Sequence, residues 1–137
     1  MKYKCRLKHE EKGYFVEFPD LNNVFTEGKS IEEALENAYE ALNGVLEVEV
    51  SHGQLPAPPS AEGKDLYPIE VAPHIEIAIQ LRNLRGRRSQ KNIAEKLGLS
   101  YQAYQRLENP LKGNPTIKTL EKIAKALGLN LTVTLSA

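Results

Sequence analysis

The chain has 137 residues, 41% of them hydrophobic and 26% charged, with 18 Lys and Arg against 18 Asp and Glu. That suits one soluble domain or two small ones. No apolar run approaches membrane-spanning length, the first eight residues hold four cations and so do not read as a signal peptide, and one cysteine excludes an internal disulfide or a Cys-x-x-Cys zinc cluster, which points to the cytoplasm.

Residues 2–8 alternate, with Tyr3, Cys5 and Leu7 on one side and Lys2, Lys4, Arg6 and Lys8 on the other, as in a half-buried strand. Cys5 lies on the apolar side and reads as a small core residue. Glu10 to Gly13 is a hairpin signal, and Tyr14, Val16 and Phe18 form the inner face of a second strand with Phe15 and Glu17 outside. Pro19 and Asp20 end that strand, and Val24 to Glu27 form a short third one. Ser30 with Glu33 predicts a capping box, each side chain serving the other's backbone N–H. The helix it opens should run to about Val50. Its apolar stripe is Ile31, Leu35, Ala38, Leu42 and Val45, widened by Ala34, Ala41 and Leu46, and Glu32, Glu33, Glu36, Glu40 and Glu47 lie on or beside the other face. Pro56, Pro58 and Pro59 make residues 51–63 a loop, and Tyr67 to Val71 can return to the sheet as a fourth strand. The order is β-β-β-α-β, a small α+β layer.

Pro73 opens the second part. His74 to about Arg85 is predicted helical, with Ile77, Ala78, Leu81 and Leu84 inward, and residues 86–88 link it onward. Ser89 caps a helix whose stripe is Ile93, Ala94 and Leu97, and Gly98 supplies the left-handed residue that ends it. Ser100 caps the next, with Ala103, Tyr104 and Leu107 inward and Tyr101, Gln102, Gln105 and Arg106 outward. That outer face has no acidic residue before Glu108, and Gln and Arg are the side chains that contact adenine and guanine bidentately, so the pair reads as a helix-turn-helix. Residues 109–115 form a loop; Thr116 caps a last helix bearing Ile117, Leu120, Ile123, Ala124 and Leu127, closed by Gly128. The tail alternates again, with Leu131, Val133 and Leu135 on one face. A lone strand cannot satisfy its own backbone, so it should pair with another strand, in this chain or across a dimer interface.

The zero net charge hides a division. Residues 1–72 hold seven Lys and Arg against fourteen Asp and Glu; residues 73–137 hold eleven against four. The acidic part suits a basic protein and the basic part nucleic acid. Catalytic and metal chemistry find no support: His9, His52 and His74 fall in different segments, no glycine-rich phosphate loop exists, and Glu17 and Asp20 sit on an outer strand face and in a turn. No cofactor is expected.

Two resemblances follow from these residues. Residues 89–109 resemble the helix-turn-helix of Xre and phage repressors, through Gln90, Ala94, Gly98 and the Leu107-Glu108-Asn109 ending. This implies base contacts by Tyr101, Gln102 and Arg106, with Gln105 on the same face. It implies a phosphate at Gln90, with Arg87, Arg88 and Lys112 as flanking cations. The stretch Gly13-Tyr-Phe-Val-Glu-Phe-Pro-Asp-Leu21, then Thr26-Glu-Gly, then residues 30–42, is similar to the N-terminal domain of HicB antitoxins. Where many relatives have Pro-Gly-Cys after the Phe-Pro-Asp-Leu turn, this chain has Asn22-Asn23-Val24. The resemblance implies a degenerate RNase H-like first domain, without a two-metal carboxylate cluster, that holds a small basic RNA-cleaving toxin of the HicA type. It implies a C-terminal domain that binds operator DNA as a dimer or larger assembly. The expected division is thus 1–72, binding the toxin around the outward Phe15 and Glu17, and 73–137, a helix-turn-helix domain with a short C-terminal strand that carries the dimer contact. The rival readings are a stand-alone repressor sensing a small ligand and an RNase H-like nuclease.

Overall fold

The computed structural model describes residues 1–137. Strands β1 (Lys2–Glu10), β2 (Gly13–Phe18) and β3 (Leu21–Gly28) form an antiparallel meander, helix α1 (Ile31–Ser51) covers one face, and β4 (Leu66–Glu70) pairs antiparallel with β1, giving the order β3-β2-β1-β4. The β-β-β-α-β order expected from the sequence is present.

Alternation decides the faces. Tyr3 and Cys5 of β1, Val16 and Phe18 of β2 and Val24 of β3 are buried under α1. The helix presents Ala34, Ala38, Leu42, Leu46 and Val50 to them. This stripe is rotated from the expected one: Ile31 is exposed, Leu35 and Val45 are half-buried, and small Ala34 and Ala38 are fully buried. Gly28 explains the choice, since a Cβ there would lie 2.4 Å from the Ala34 backbone N. The capping box also differs in detail. Ser30 Oγ accepts from Glu33 N at 3.1 Å, but the Glu33 carboxylate reaches one residue further back, to Lys29 N at 3.0 Å.

The proline-rich segment between α1 and β4 is pinned at two points. Tyr3 Oη donates to Ala57 O, and Asp20 accepts from Ser60 N, Ser60 Oγ and Ala61 N, each at 2.9 Å. Asp20, expected only to end a strand, is therefore the clip of this long loop.

Helix α2 (Pro73–Arg85) joins the two parts. Its buried face is Ile75, Ala78, Ile79 and Leu81; Leu84, expected inside, is exposed, and Ile77 is half-buried. Val71, Ala72, Ile75, Ala78 and Ile79 belong to the same cluster as the sheet and α1, so no break in packing falls at the expected boundary after residue 72. Asn43, buried on α1, holds the junction: its amide donates to Glu70 O and Tyr39 O and its oxygen accepts from Ala72 N at 2.7 Å. The remaining helices are α3 (Gln90–Leu97), α4 (Tyr101–Leu107) and α5 (Ile117–Ala126), around a second, small core of Ile93, Ala94 and Tyr104 backed by Leu97, Leu99, Leu107 and Leu127.

The expected C-terminal strand is not formed within the chain. Residues 130–137 have no ladder partner, Val133 and Leu135 are 59% and 97% exposed, and Leu131 is half-buried. The physical reason is that both sheet edges, β3 and β4, lie in the first part of the fold, and no strand stands beside the helical part for the tail to join.

Candidate nucleic-acid interface

The second and third helices of the C-terminal part are positioned by local chemistry. Ser89 Oγ accepts from Asn92 N at 3.0 Å and Ser100 Oγ from Ala103 N at 3.1 Å, satisfying first-turn donors. Gly98 has φ +71, the left-handed conformation that lets α3 stop and the chain turn into α4. Tyr104 is fixed by burial, with its hydroxyl aimed at Leu81 O of α2. Ala103, expected inward, is exposed, so α4 turns one narrow stripe, Tyr104 with half-buried Leu107, into the core.

One buried ion pair fixes α4 against α2 and α3. Glu108, 6% exposed, receives Arg85 Nε at 2.7 Å and Nη2 at 3.0 Å, a two-pronged contact, and Gln90 Nε2 at 3.2 Å. Burial alone would raise the Glu108 carboxyl, but the hydrogen bonds from Arg85, Tyr104 and Gln90 outweigh it and hold the carboxyl below its ordinary range. The Tyr104 hydroxyl is pushed up by burial and by Glu108. Arg85 also donates from Nη1 to Arg88 O at 2.8 Å, bracing the link into α3. Nothing in the spacing of Arg85, Gln90 and Glu108 announced this pair. Gln90 and Glu108 stand among the residues that carry the repressor resemblance, but nothing near either of them points to Arg85.

With that frame set, Tyr101, Gln102, Gln105 and Arg106 project to solvent from one helix. Gln102, Gln105 and Arg106 line a cleft of about 790 Å³ with Gln90, Arg82 and Lys112. Of the residues expected at phosphates, Arg87 and Lys112 are exposed. Gln90 stands at the N-terminus of α3 with its amide turned to Glu108, and Arg88 folds onto the end of α2, donating to Leu84 O at 3.0 Å and Arg85 O at 3.3 Å.

The residues expected to meet a protein partner lie elsewhere. Phe15 is half-buried on the outer sheet face and stacks on Phe25, ring centroids 5.9 Å apart, with Phe25 54% exposed. Phe25, which the alternation of β2 alone does not point to, shares that outer face. Glu17 sits beside Arg6 and Lys8 at 3.4 and 3.2 Å, and the Lys8 and Arg6 side chains hold its carboxyl low. The charge around Phe15 is thus internally paired, and the acidic surface expected next to it lies on α1, where Glu32, Glu36 and Glu40 are exposed. No three His, Cys, Asp or Glu side chains gather where they could share a metal ion, and no helix is long and apolar enough to cross a membrane.

Known proteins agree with both parts of this description. A family model for HicB-like antitoxins of bacterial toxin–antitoxin systems matches residues 3–101, and a helix-turn-helix model matches residues 79–133. Antitoxin HicB 1 of Photorhabdus laumondii is 30% identical over 136 residues, covering 98% of this chain and 87% of the relative. Antitoxin HicB 2 of the same organism is 32% identical over 133 residues, covering 96% and 94%. Antitoxin HicB of Escherichia coli K12 is 30% identical over 125 residues, covering 90% of each.

Proposed function

The chain belongs to the family of HicB-like antitoxins of bacterial toxin–antitoxin systems and carries a helix-turn-helix in its C-terminal part; from that premise we propose that it neutralises a HicA-type RNA-cleaving toxin and represses its own operon. Residues 1–72 supply the toxin-binding part and residues 73–137 the DNA-binding part, with α2 shared between them by packing. The protein acts in the cytoplasm as a binder, without catalysis.

The observation that carries the DNA half is the row of Tyr101, Gln102, Gln105 and Arg106, exposed on a helix whose frame is fixed by the buried Glu108–Arg85 pair. A preorganised row of long polar side chains suits base edges in a major groove. Arg87 and Lys112 are the free flanking cations for phosphates, Gln90 offers the α3 N-terminus, and Arg88 joins them by leaving its carbonyl partners. Toxin docking is assigned to the outer sheet face, centred on Phe15 with Phe25 beside it and Glu17 at its rim; the acidic face of α1 speeds association with a basic partner. A homodimer or larger assembly forms through Leu131, Val133 and Leu135; the exposure of Val133 and Leu135 leaves apolar surface, and the tail unpaired backbone, for a second copy.

Two assays test the proposal. Co-expression with the protein encoded beside it should restore growth that the neighbour alone arrests. A duplex from upstream of the operon should be retarded by this chain at concentrations that leave random duplex free. Failure of either sinks the corresponding half.

A further inference from the structure

The cleft in front of α4 has a second wall. Opposite Gln102, Gln105, Arg106 and Lys112 it is lined by Val50, Ser51, His52, Gly53, Gln54 and Leu55, the end of α1 and the turn that follows. We infer that in the free protein this turn stands across the cleft from Gln102, Gln105 and Arg106 and obstructs the approach of a duplex to them, and that duplex DNA engages α4 only after residues 52–55 are displaced. The inference rests on the reading of α4 as the DNA-reading helix.

Size is the first argument. The cleft between α4 and the turn encloses about 790 Å³, whereas α4 must be received by a major groove about 12 Å wide within a duplex that is wider still. A duplex received on α4 would compete with the turn for the space in front of Gln102, Gln105 and Arg106.

Charge is the second, and it separates a cover from an additional DNA contact. The turn closes α1 at its C-terminal end, the negative end of the helix dipole, and the last turn of α1 has no basic residue. The facing wall brings Arg82, Arg106 and Lys112, none of them paired with a carboxylate, while the one buried carboxylate there, Glu108, is taken by Arg85. The turn is therefore drawn to the cationic wall and would repel a phosphate in its own position.

Anchoring is the third. Residues 52–54 are held by short-range bonds alone: Gly53 N to Val50 O at 3.0 Å, Gln54 N to Glu49 O at 3.0 Å, and the His52 ring nitrogen with Val48 O at 2.8 Å. No hydrogen bond crosses the cleft, and the firm anchors of the loop begin downstream at Ala57 and Ser60. Helix α2, by contrast, is packed into the main core and tied to Glu108. The part free to move is the turn.

The test uses the full-length chain with spin labels at Gln54→Cys and Asn109→Cys, one on each wall. Cys5 is fully buried with its thiol pushed up to about 11, so it does not compete for label. Pulsed-EPR distances are measured free and with a duplex from upstream of the chain's own coding sequence, and retardation of the same samples reports occupancy. A short distance in the free protein that moves to a longer population in retarded samples is the expected result. An unchanged distribution in fully retarded samples overturns the inference and leaves the DNA reading intact; absence of any retardation overturns the DNA reading and the inference with it. A second variant, His52→Ala with Gln54→Ala and Leu55→Ala, thins the cover. It should bind the duplex about threefold tighter or better, because apparent affinity scales with the open fraction. Weaker binding by this variant would make the turn a DNA contact and overturn the cover.

Discussion

Replacing Arg85 with leucine tests the frame on which the proposed DNA reading by α4 would depend. The substitution leaves Glu108, whose side chain is 5% exposed, without its two-pronged partner. Breaking a buried pair from one side costs about 3–5 kcal/mol. Glu108 has an escape, however, which is to take up a proton. That costs about 1.4 kcal/mol for each pH unit above the ordinary glutamate value near 4.3, hence about 4 kcal/mol at pH 7 and about 1 kcal/mol at pH 5. The loss should therefore shrink by about 3 kcal/mol between those values. The sign follows from the native carboxyl, which is held below its ordinary range. Its contribution is complete above the unfolded value and is lost only as pH falls through the folded one. Hydrogen exchange of α3 and α4 amides, with rates corrected for intrinsic pH dependence, reads the effect locally. The double variant Arg85→Leu with Glu108→Leu should recover most of the loss at pH 7, since an apolar pair of similar volume is often neutral there. It also controls for the Arg85 bond to Arg88 O. A single-variant loss that is the same at both pH values, or a double variant no better than the single, would refute the reasoning.

Other outcomes follow from the same geometry. Asp20→Asn should release the loop at residues 57–61, at a cost of about 1 kcal/mol, and speed protease cleavage there. In the parent the backbone N–H of Ala61 and the Ser60 groups hold the Asp20 carboxyl low, so the clip should persist above about pH 4 and open as pH falls through the carboxyl's folded value. Arg106→Ala should cost roughly 1–3 kcal/mol on the operator and relax choice at one base pair, whereas Arg87→Ala should weaken all duplexes alike and flatten the slope of log affinity against log salt by about one unit. Phe25→Ser should weaken toxin binding in calorimetry by more than about 1 kcal/mol and leave DNA retardation unchanged. Removing residues 130–137 should give monomers in sedimentation.

Signals carried by neighbours in sequence were legible. Ser89, Ser100 and Thr116 cap helices as expected, and Gly98 and Gly128 end them with positive φ, because each feature is decided within four residues. The strand alternation of Tyr3, Cys5, Val16 and Phe18 likewise fixed the core face. What depended on distant contacts was harder to read. The stripe of α1 rotated because backbone contact at Gly28 wanted alanine there. The face of α2 was set by the core of α1 and the sheet, so Ile75 and Ile79 turned in and Leu84 out. Arg85 and Glu108 are 23 residues apart, and Asp20 and Ser60 are 40, with no local trace of either pairing. In the candidate site the exposed row on α4 was visible in advance. The second wall of the cleft was not, because it comes from the far end of another helix.

The position of α2 restricts how such a chain can be rebuilt. Exchanging the helix-turn-helix part for another is an obvious way to alter such a chain's DNA target, and a join after residue 72 looks natural on charge alone. Cut there, the remaining fragment would lose Ile75, Ala78 and Ile79 from the core they share with α1 and the sheet and expose the apolar seat they occupied. Cut instead after Gly86, the transplanted head would arrive with Glu108 orphaned, its Arg85 left behind on the donor. A working hybrid has to keep the inner face of α2 from the recipient and graft its last turn from the donor, so the seam belongs inside the helix, near residue 81, where one face ends its service to the core under α1 and the other begins its service to α4.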